Sequence, residues 1–266
     1  AVQIPFQIVD DVASCAIVVP AGYSAQAMQE LIAYDAENPP PQKVERKPLT
    51  VFNAIPGLIV YALIICGVAV IADLTTWGKD WYNAGRVDGV LIRAGEWWRT
   101  ITALTLHADL HHLIGNLVFG TMFGLFAGRL VGSGVAWFSI VVAAALGNTL
   151  NTLLLEASHR AIGASTAVFA ALGLVAGFVW RGKFMAQDRW SYRLGPIVGG
   201  FALLMYTGTG GERTDIGAHL MGFLFGLGAG MLLTSVRDQL DDRRLQQMAG
   251  LGALLLICGA WAIAIM

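Results

Sequence analysis

Seven stretches of predominantly apolar residues, roughly 53–73, 109–129, 134–155, 165–180, 195–207, 217–235 and 248–266, divide this chain. A helix needs about 20 such residues to cross the hydrocarbon of a bilayer. Within hydrocarbon every backbone N–H and C=O must find its partner inside the segment, so runs of this kind fold as helices. Only 13% of the residues are charged, against about a quarter in soluble domains. The pattern predicts an all-α, multi-pass membrane protein embedded in the lipid bilayer. The fourth and fifth runs are short, and the ends of the fifth are expected to extend. A formal net charge of -1 gives no indication of a nucleic-acid partner. The three cysteines, Cys15, Cys66 and Cys258, have no CxxC spacing and imply neither a disulfide framework nor a zinc site.

Residues 1–42 differ from the rest in carrying Asp10, Asp11, Glu30, Asp35 and Glu37 and no long apolar run. They read as a small cytoplasmic appendage, with a short strand in CAIVVP and a helix opened by Ser24. The first residues lack the basic start and apolar core of a secretory signal. Pro39-Pro40-Pro41 makes a stiff linker. Residues 43–235 are expected to form a six-helix core, and 236–266 a charged loop and a seventh span. The positive charges orient the whole. Lys43, Arg46 and Lys47 precede the first span; Arg181, Lys183, Arg189 and Arg193 follow the fourth; Arg237, Arg243 and Arg244 follow the sixth. Alternation places all three groups on one side, which the positive-inside rule makes cytoplasmic. The N-terminus is then inside and the C-terminus outside. Trp77, Trp81, Tyr82, Trp97 and Trp98 crowd the loop 74–108, which is expected to lie partly in the outer leaflet.

In this topology spans 2, 4 and 6 all start at the outer face. Their first turns hold His112 and Asn116, Ser165, and His219. A hydroxyl and an imidazole at the start of membrane helices are costly without partners, and the economical explanation is that they pair as nucleophile and base. Gly163 permits an unusual backbone turn before Ser165. The start of the following helix favours developing negative charge, although an ordinary N-cap role for Ser165 explains the same position. Ala218, Gly222, Gly226 and Gly230 recur every four residues on span 6, and Gly173 and Gly177 do so on span 4. Such stripes let two backbones approach closely, which would carry Ser165 to His219. His112 and Asn116, four apart, share a helix face; with the Ser165 N–H they are candidate donors to an oxyanion. Phe169, one turn after Ser165, is a candidate to stack on His219. His107 and His111 are also four apart, but without a carboxylate partner or HExxH pattern no metal is expected.

These residues resemble a known family. Trp98-Arg99, His107, His112-xxx-Asn116, the GxSx motif at Gly163–Thr166 and Ala218-His219-xx-Gly222-xxx-Gly226, in this order over about residues 50–235, are similar to the rhomboid intramembrane serine proteases. The resemblance implies a six-helix bundle plus one C-terminal transmembrane helix. It implies Ser165 as nucleophile, His219 as general base, His112 and Asn116 in an oxyanion hole, and Gly163, Phe169 and Gly222 in support. It implies cleavage of transmembrane protein substrates near their outer ends, in a bacterial plasma membrane, with no metal or cofactor. Three positions depart from the family pattern. Thr166 stands where glycine is common, Phe169 where tyrosine is frequent, and Gly128 where a glutamate often falls. They motivate an alternative, a weakly active or inactive rhomboid-like module that binds membrane proteins. A transporter using the His-rich entrance of span 2 is disfavoured because no span carries a buried carboxylate.

Overall fold

A computed structural model describes residues 3–11, 14–38, 51–182, 190–208 and 215–266. The Pro39–Pro41 segment, the Lys43–Lys47 cluster, Lys183, Arg189 and Arg213 lie outside them. The chain divides into two compact units, Ala1–Pro48 and Leu49–Met266. The first contains a hairpin of β1 (Gln7–Asp11) and β2 (Ser14–Val18), in which Gln7 faces Val18, and a helix α1 (Ser24–Glu37). Ser24 is the first residue of α1, and its hydroxyl donates back to the Ala21 carbonyl at 3.0 Å.

The second unit is a helical membrane protein. Its long helices are α2 (Ile55–Asp73), α6 (Leu110–Val131), α7 (Ser133–Leu154), α8 (Ser165–Gly182), α9 (Trp190–Gly208), α10 (Ile216–Leu233) and α11 (Arg243–Ile265). Among the described residues six helices, all of these but α9, are long and apolar enough to cross a bilayer. Between α2 and α6 the chain forms three short helices, α3 (Trp81–Gly85), α4 (Gly89–Arg93) and α5 (Arg99–Thr102), and a two-residue strand β3 (Val87–Asp88). β3 pairs antiparallel with β4 (Arg160–Ala161), just before α8. The fifth expected run is thus a longer helix that begins at Trp190, ahead of its purely apolar part.

Local chemistry sets the helix boundaries. Asp109 caps α6 by accepting the His112 N–H at 2.8 Å, Asp215 caps α10 by accepting the Ala218 N–H at 2.9 Å, and Asp242 caps α11 by accepting the Arg244 N–H at 2.8 Å. Each acceptor satisfies an N–H that the helix itself leaves unpaired. Gly132, with φ of 85°, ends α6 and lets α7 begin at the next residue; glycine alone adopts this backbone without strain.

The centre of the unit is the pair α8 and α10. A Cβ at Gly222 would strike the Thr166 carbonyl oxygen, one at Gly226 that of Ala170, and one at Gly230 that of Leu174. In return, Gly173 lies on the Phe223 carbonyl and Gly177 on that of Leu227. Within each set the offset between partners is constant, 56 residues in the first and 50 in the second, so the helices run parallel with their backbones in contact. Phe178, Leu174 and Phe223 fill the core beside this seam. Buried polar side chains tie the short elements to the bundle. The Arg99 guanidinium donates to Glu96 at 2.6 Å and to the Asn83 carbonyl at 2.7 Å, and the Thr102 hydroxyl to the Gly85 carbonyl at 2.7 Å. Asn148 of α7 donates to the Thr100 carbonyl at 2.9 Å.

Candidate active site

α6, α8 and α10 all open with their first turns on one cleft of about 1160 Å³, lined by His112 and Asn116, by Ser165 and Phe169, and by His219. The parallel packing of α8 and α10 sets the central contact. Ser165 Oγ lies 2.8 Å from His219 Nε2. With the ring proton on Nδ1, Nε2 accepts the serine hydroxyl, the arrangement a nucleophile and base require. The Phe169 ring packs on the imidazole at a centroid distance of 4.6 Å and an angle of 39°, which restrains the plane of the His219 ring. His219 is 7% exposed.

Gly163 precedes the serine with φ of 135°. A Cβ there would sit 2.7 Å from His112 Cε1 and Nε2 and 3.6 Å from Ser165 Oγ. Glycine therefore serves both the backbone turn and the approach of the His112 ring to the serine. Asn116 is buried, and its Nδ2 has no hydrogen-bond partner among the described residues. Its backbone carbonyl accepts the Tyr61 hydroxyl at 2.7 Å, which fixes this turn of α6. A buried amide donor left open is costly unless something occupies it part of the time. His107 stands edge-on to His112 at 5.2 Å and is 3% exposed. Among the described residues neither of its ring nitrogens has a partner of good geometry, with only a loose approach to the Thr105 carbonyl. Burial, with His112 beside it, lowers its pKa to about 4, so it is neutral at pH 7. His111 is an exposed residue at the rim. Among the described residues no group of three His, Cys, Asp or Glu side chains is placed to hold a metal.

The positions that depart from the family pattern have physical accounts. Thr166 has an ordinary negative φ and is not among the residues that line the cleft. Its hydroxyl donates to Asn148 Oδ1 at 3.0 Å, and its backbone carbonyl lies against Gly222. A β-branched residue here is accommodated by Gly222 and by the amide of Asn148. At Gly128 a Cβ would fall 2.8 Å from the Ala54 Cβ, so Ala54 fills the space a larger side chain would need.

One group, Asp215, is not singled out by the residue pattern of the sequence. Besides capping α10, its carboxylate accepts both the Asn151 amide, at 3.0 Å to either oxygen, and His159 Nε2 at 2.8 Å. Asn151 belongs to α7, and His159 to the segment leading into Ser165. The His159 carbonyl in turn accepts the Gly89 N–H at 3.0 Å, next to the β3–β4 pair. Asp215 thus joins three strands of chain around the cleft, one turn before His219. The spacing from Asp215 to His219 was the available signal; its partners are remote in sequence. Arg160, beside His159, reaches Asp88 Oδ2 at 3.2 Å. Burial pushes the Asp88 carboxyl up, but the Leu91 N–H, Arg160 and the Val90 N–H together hold it below its ordinary value.

A membrane helix bundle with a serine and a histidine paired at the mouth of one cleft defines a narrow class, and comparison with known proteins gives it a name. The Rhomboid domain matches residues 94–236, more than half of the chain, which therefore belongs to the rhomboid family. Rhomboid-like protease 1 of Toxoplasma gondii is 30% identical over 157 residues, 58% of this chain and 52% of that protein. Rhomboid-like protease 2 of the same organism is 26% identical over 196 residues, 73% of this chain and 68% of that protein. YdcA of Bacillus subtilis (strain 168) is 30% identical over 166 residues, 61% of this chain and 75% of that protein. The match spans about half the length of the first of these relatives, 52%.

Proposed function

We propose that this chain is an intramembrane serine endopeptidase that cleaves transmembrane segments of other membrane proteins near their outer ends. The observation that carries the reading is the 2.8 Å contact of Ser165 Oγ with His219 Nε2 in a cleft at the start of three membrane helices. In this mechanism His219 takes the Ser165 hydroxyl proton as Oγ attacks the scissile carbonyl carbon. The carbonyl electron pair moves onto oxygen, and Asn116 Nδ2, His112 and the Ser165 N–H donate to it. His219 then passes the proton to the leaving amine as the C–N bond breaks, leaving an ester on Ser165. Water, deprotonated by His219, hydrolyses that ester and restores the hydroxyl. The free Asn116 amide is the donor that gains a partner only when charge develops, which is where hydrogen bonding accelerates a reaction. The chemistry uses neither metal nor cofactor.

The charge distribution supports an N-terminus in the cytoplasm and a C-terminus outside, with residues 1–42 as a cytoplasmic appendage to a core of residues 43–235 and a seventh span within 236–266; we assign the protein to a bacterial plasma membrane. Cleavage of a model single-pass substrate in proteoliposomes tests the reading: Ser165→Ala abolishes it, and equal cleavage by that variant would overturn the mechanism. The alternative, a rhomboid-like module that binds membrane proteins without cutting them, draws on Thr166 beside the nucleophile and on the absence of glutamate at Gly128. Covalent labelling of Ser165 by a fluorophosphonate excludes it.

A further inference from the structure

The C-terminal helix α11 is fastened by one polar side chain near each end. Gln246 accepts the Val135 N–H at 3.1 Å and donates to the Val131 and Leu240 carbonyls, both at 2.9 Å. It occupies the space that a side chain at Gly132 would need. Near the other end the Trp261 indole donates to the Thr105 hydroxyl at 3.0 Å, and its ring packs on Trp81 at 4.8 Å. Between these two points lies a groove of about 570 Å³, with α7 as its floor and α2 and α11 as its walls. That volume suits a small-molecule ligand, for which pockets run roughly 300–1,000 Å³.

The groove has direction. It is shut at the Trp261 end, where α2 and α11 residues join one apolar cluster with Trp81 and Leu106. It is open sideways, because Val60, Leu251 and Leu254 on its rim are exposed and face lipid in a membrane. Its inner wall includes Ala164 and Ala167, on either side of Ser165. The lining is mainly apolar: the polar groups of Tyr61, Thr105, Ser133 and Gln246 are hydrogen-bonded within the protein, the Trp137 indole N–H is buried without a partner among the described residues, and Arg243 stands at the start of α11. Arg243 makes no ion pair among the described residues, and Asp242 beside it is turned to the Arg244 N–H. With the Trp137 N–H as its one open donor away from Arg243, such a lining would leave most polar groups of a peptide backbone unpaired. A hydrocarbon chain loses nothing there, and a free guanidinium at the first turn of a helix is a phosphate ligand.

The geometry points to a glycerophospholipid site: one acyl chain lies in the groove between α2 and α11, and the lipid phosphate sits on Arg243 at that membrane surface. The chain completes the packing behind Ala164 and Ala167, so the lipid backs the segment from which Ser165 projects. This site is independent of whether the cleft is catalytic.

The full chain, extracted in mild detergent and reconstituted with phosphatidylglycerol, is examined by native mass spectrometry and by phosphate analysis after detergent washing. The parent retains one phospholipid per chain. Gly250→Leu fills the groove, since the only atom near a Cβ at this position is the Gly134 Cα at 3.5 Å, and it retains none. Leu254→Phe fills it from the rim and repeats the result should Gly250→Leu not fold. Arg243→Gln keeps the cavity but loses the phosphate contact, and its lipid dissociates about tenfold more readily. A parent that holds no phospholipid overturns the site, as does equal retention by both filled variants. So does a dimer of the parent, without lipid, that the filled variants break.

Discussion

Asp215 shows how much a single side chain can organise without doing chemistry. Its carboxylate holds the first turn of α10, the α7 amide of Asn151 and His159 ahead of Ser165, so it sets the approach of the two halves of the Ser165–His219 pair. Asp215→Ala loses the cap, worth about 1 kcal/mol, and frees His159. The expected result is a lower kcat for substrate cleavage with KM little changed, while Asp215→Asn, which keeps an acceptor for the cap, retains most of the rate. Thr166 gives a second test. Thr166→Val keeps the shape but leaves the buried Asn148 Oδ1 without its donor, at a cost of about 1–3 kcal/mol, and melting in detergent shows the loss. His107 gives a third. Its folded pKa of about 4 lies below the ordinary 6.5, so between these values the unfolded chain binds a proton that the folded one refuses. Stability is therefore full above pH 6.5 and falls as the pH drops toward about 4. The melting temperature of the parent should follow this course, and that of His107→Gln should fall less. At this scale Ser165 and His219 were legible because a hydroxyl and an imidazole are conspicuous in apolar runs. Asp215 was not, because its partners lie 56 and 64 residues away and an aspartate before a helix already has an ordinary explanation as a cap.

Among the elements, the seam of α8 and α10 is the one that glycine spacing foretold. The same glycines allow a sharp test. Gly226→Leu drives a side chain into the Ala170 carbonyl, and overpacking of this kind costs about 1–3 kcal/mol. It should lower the melting temperature and abolish labelling of Ser165 by a fluorophosphonate. Gly228→Leu, two residues along on a face with nothing within 4 Å of a Cβ, should leave both unchanged. The elements between α2 and α6 were not legible in the same way. The short helices α3, α4 and α5 have no amphipathic period long enough to read, and β3 and β4 pair across 72 residues through only two residues each. Their order comes from buried polar contacts such as those of Arg99 and Thr102, which a sequence pattern does not announce.

For the whole molecule, the apolar runs were enough to foresee a helical membrane protein, since hydrocarbon allows few other folds. The boundaries moved where a polar turn extends a helix, as Trp190–Arg193 does for α9 and Arg243–Gln247 for α11. The inferred orientation is checked by adding a cysteine after Met266. A membrane-impermeant thiol reagent should label it in intact cells, whereas labelling only after lysis would reverse the assignment. The interlock of α8 and α10 limits how the two helices can move. Their backbones mesh tooth by tooth, so sliding one helix along the other by a fraction of a turn would unseat every tooth together. The next setting lies a full turn away, about 5.4 Å, where Ser165 and His219 no longer meet. The distance between them therefore has two positions and no dial. Any graded control over the Ser165–His219 contact must act at the mouth of the cleft rather than on the pair inside.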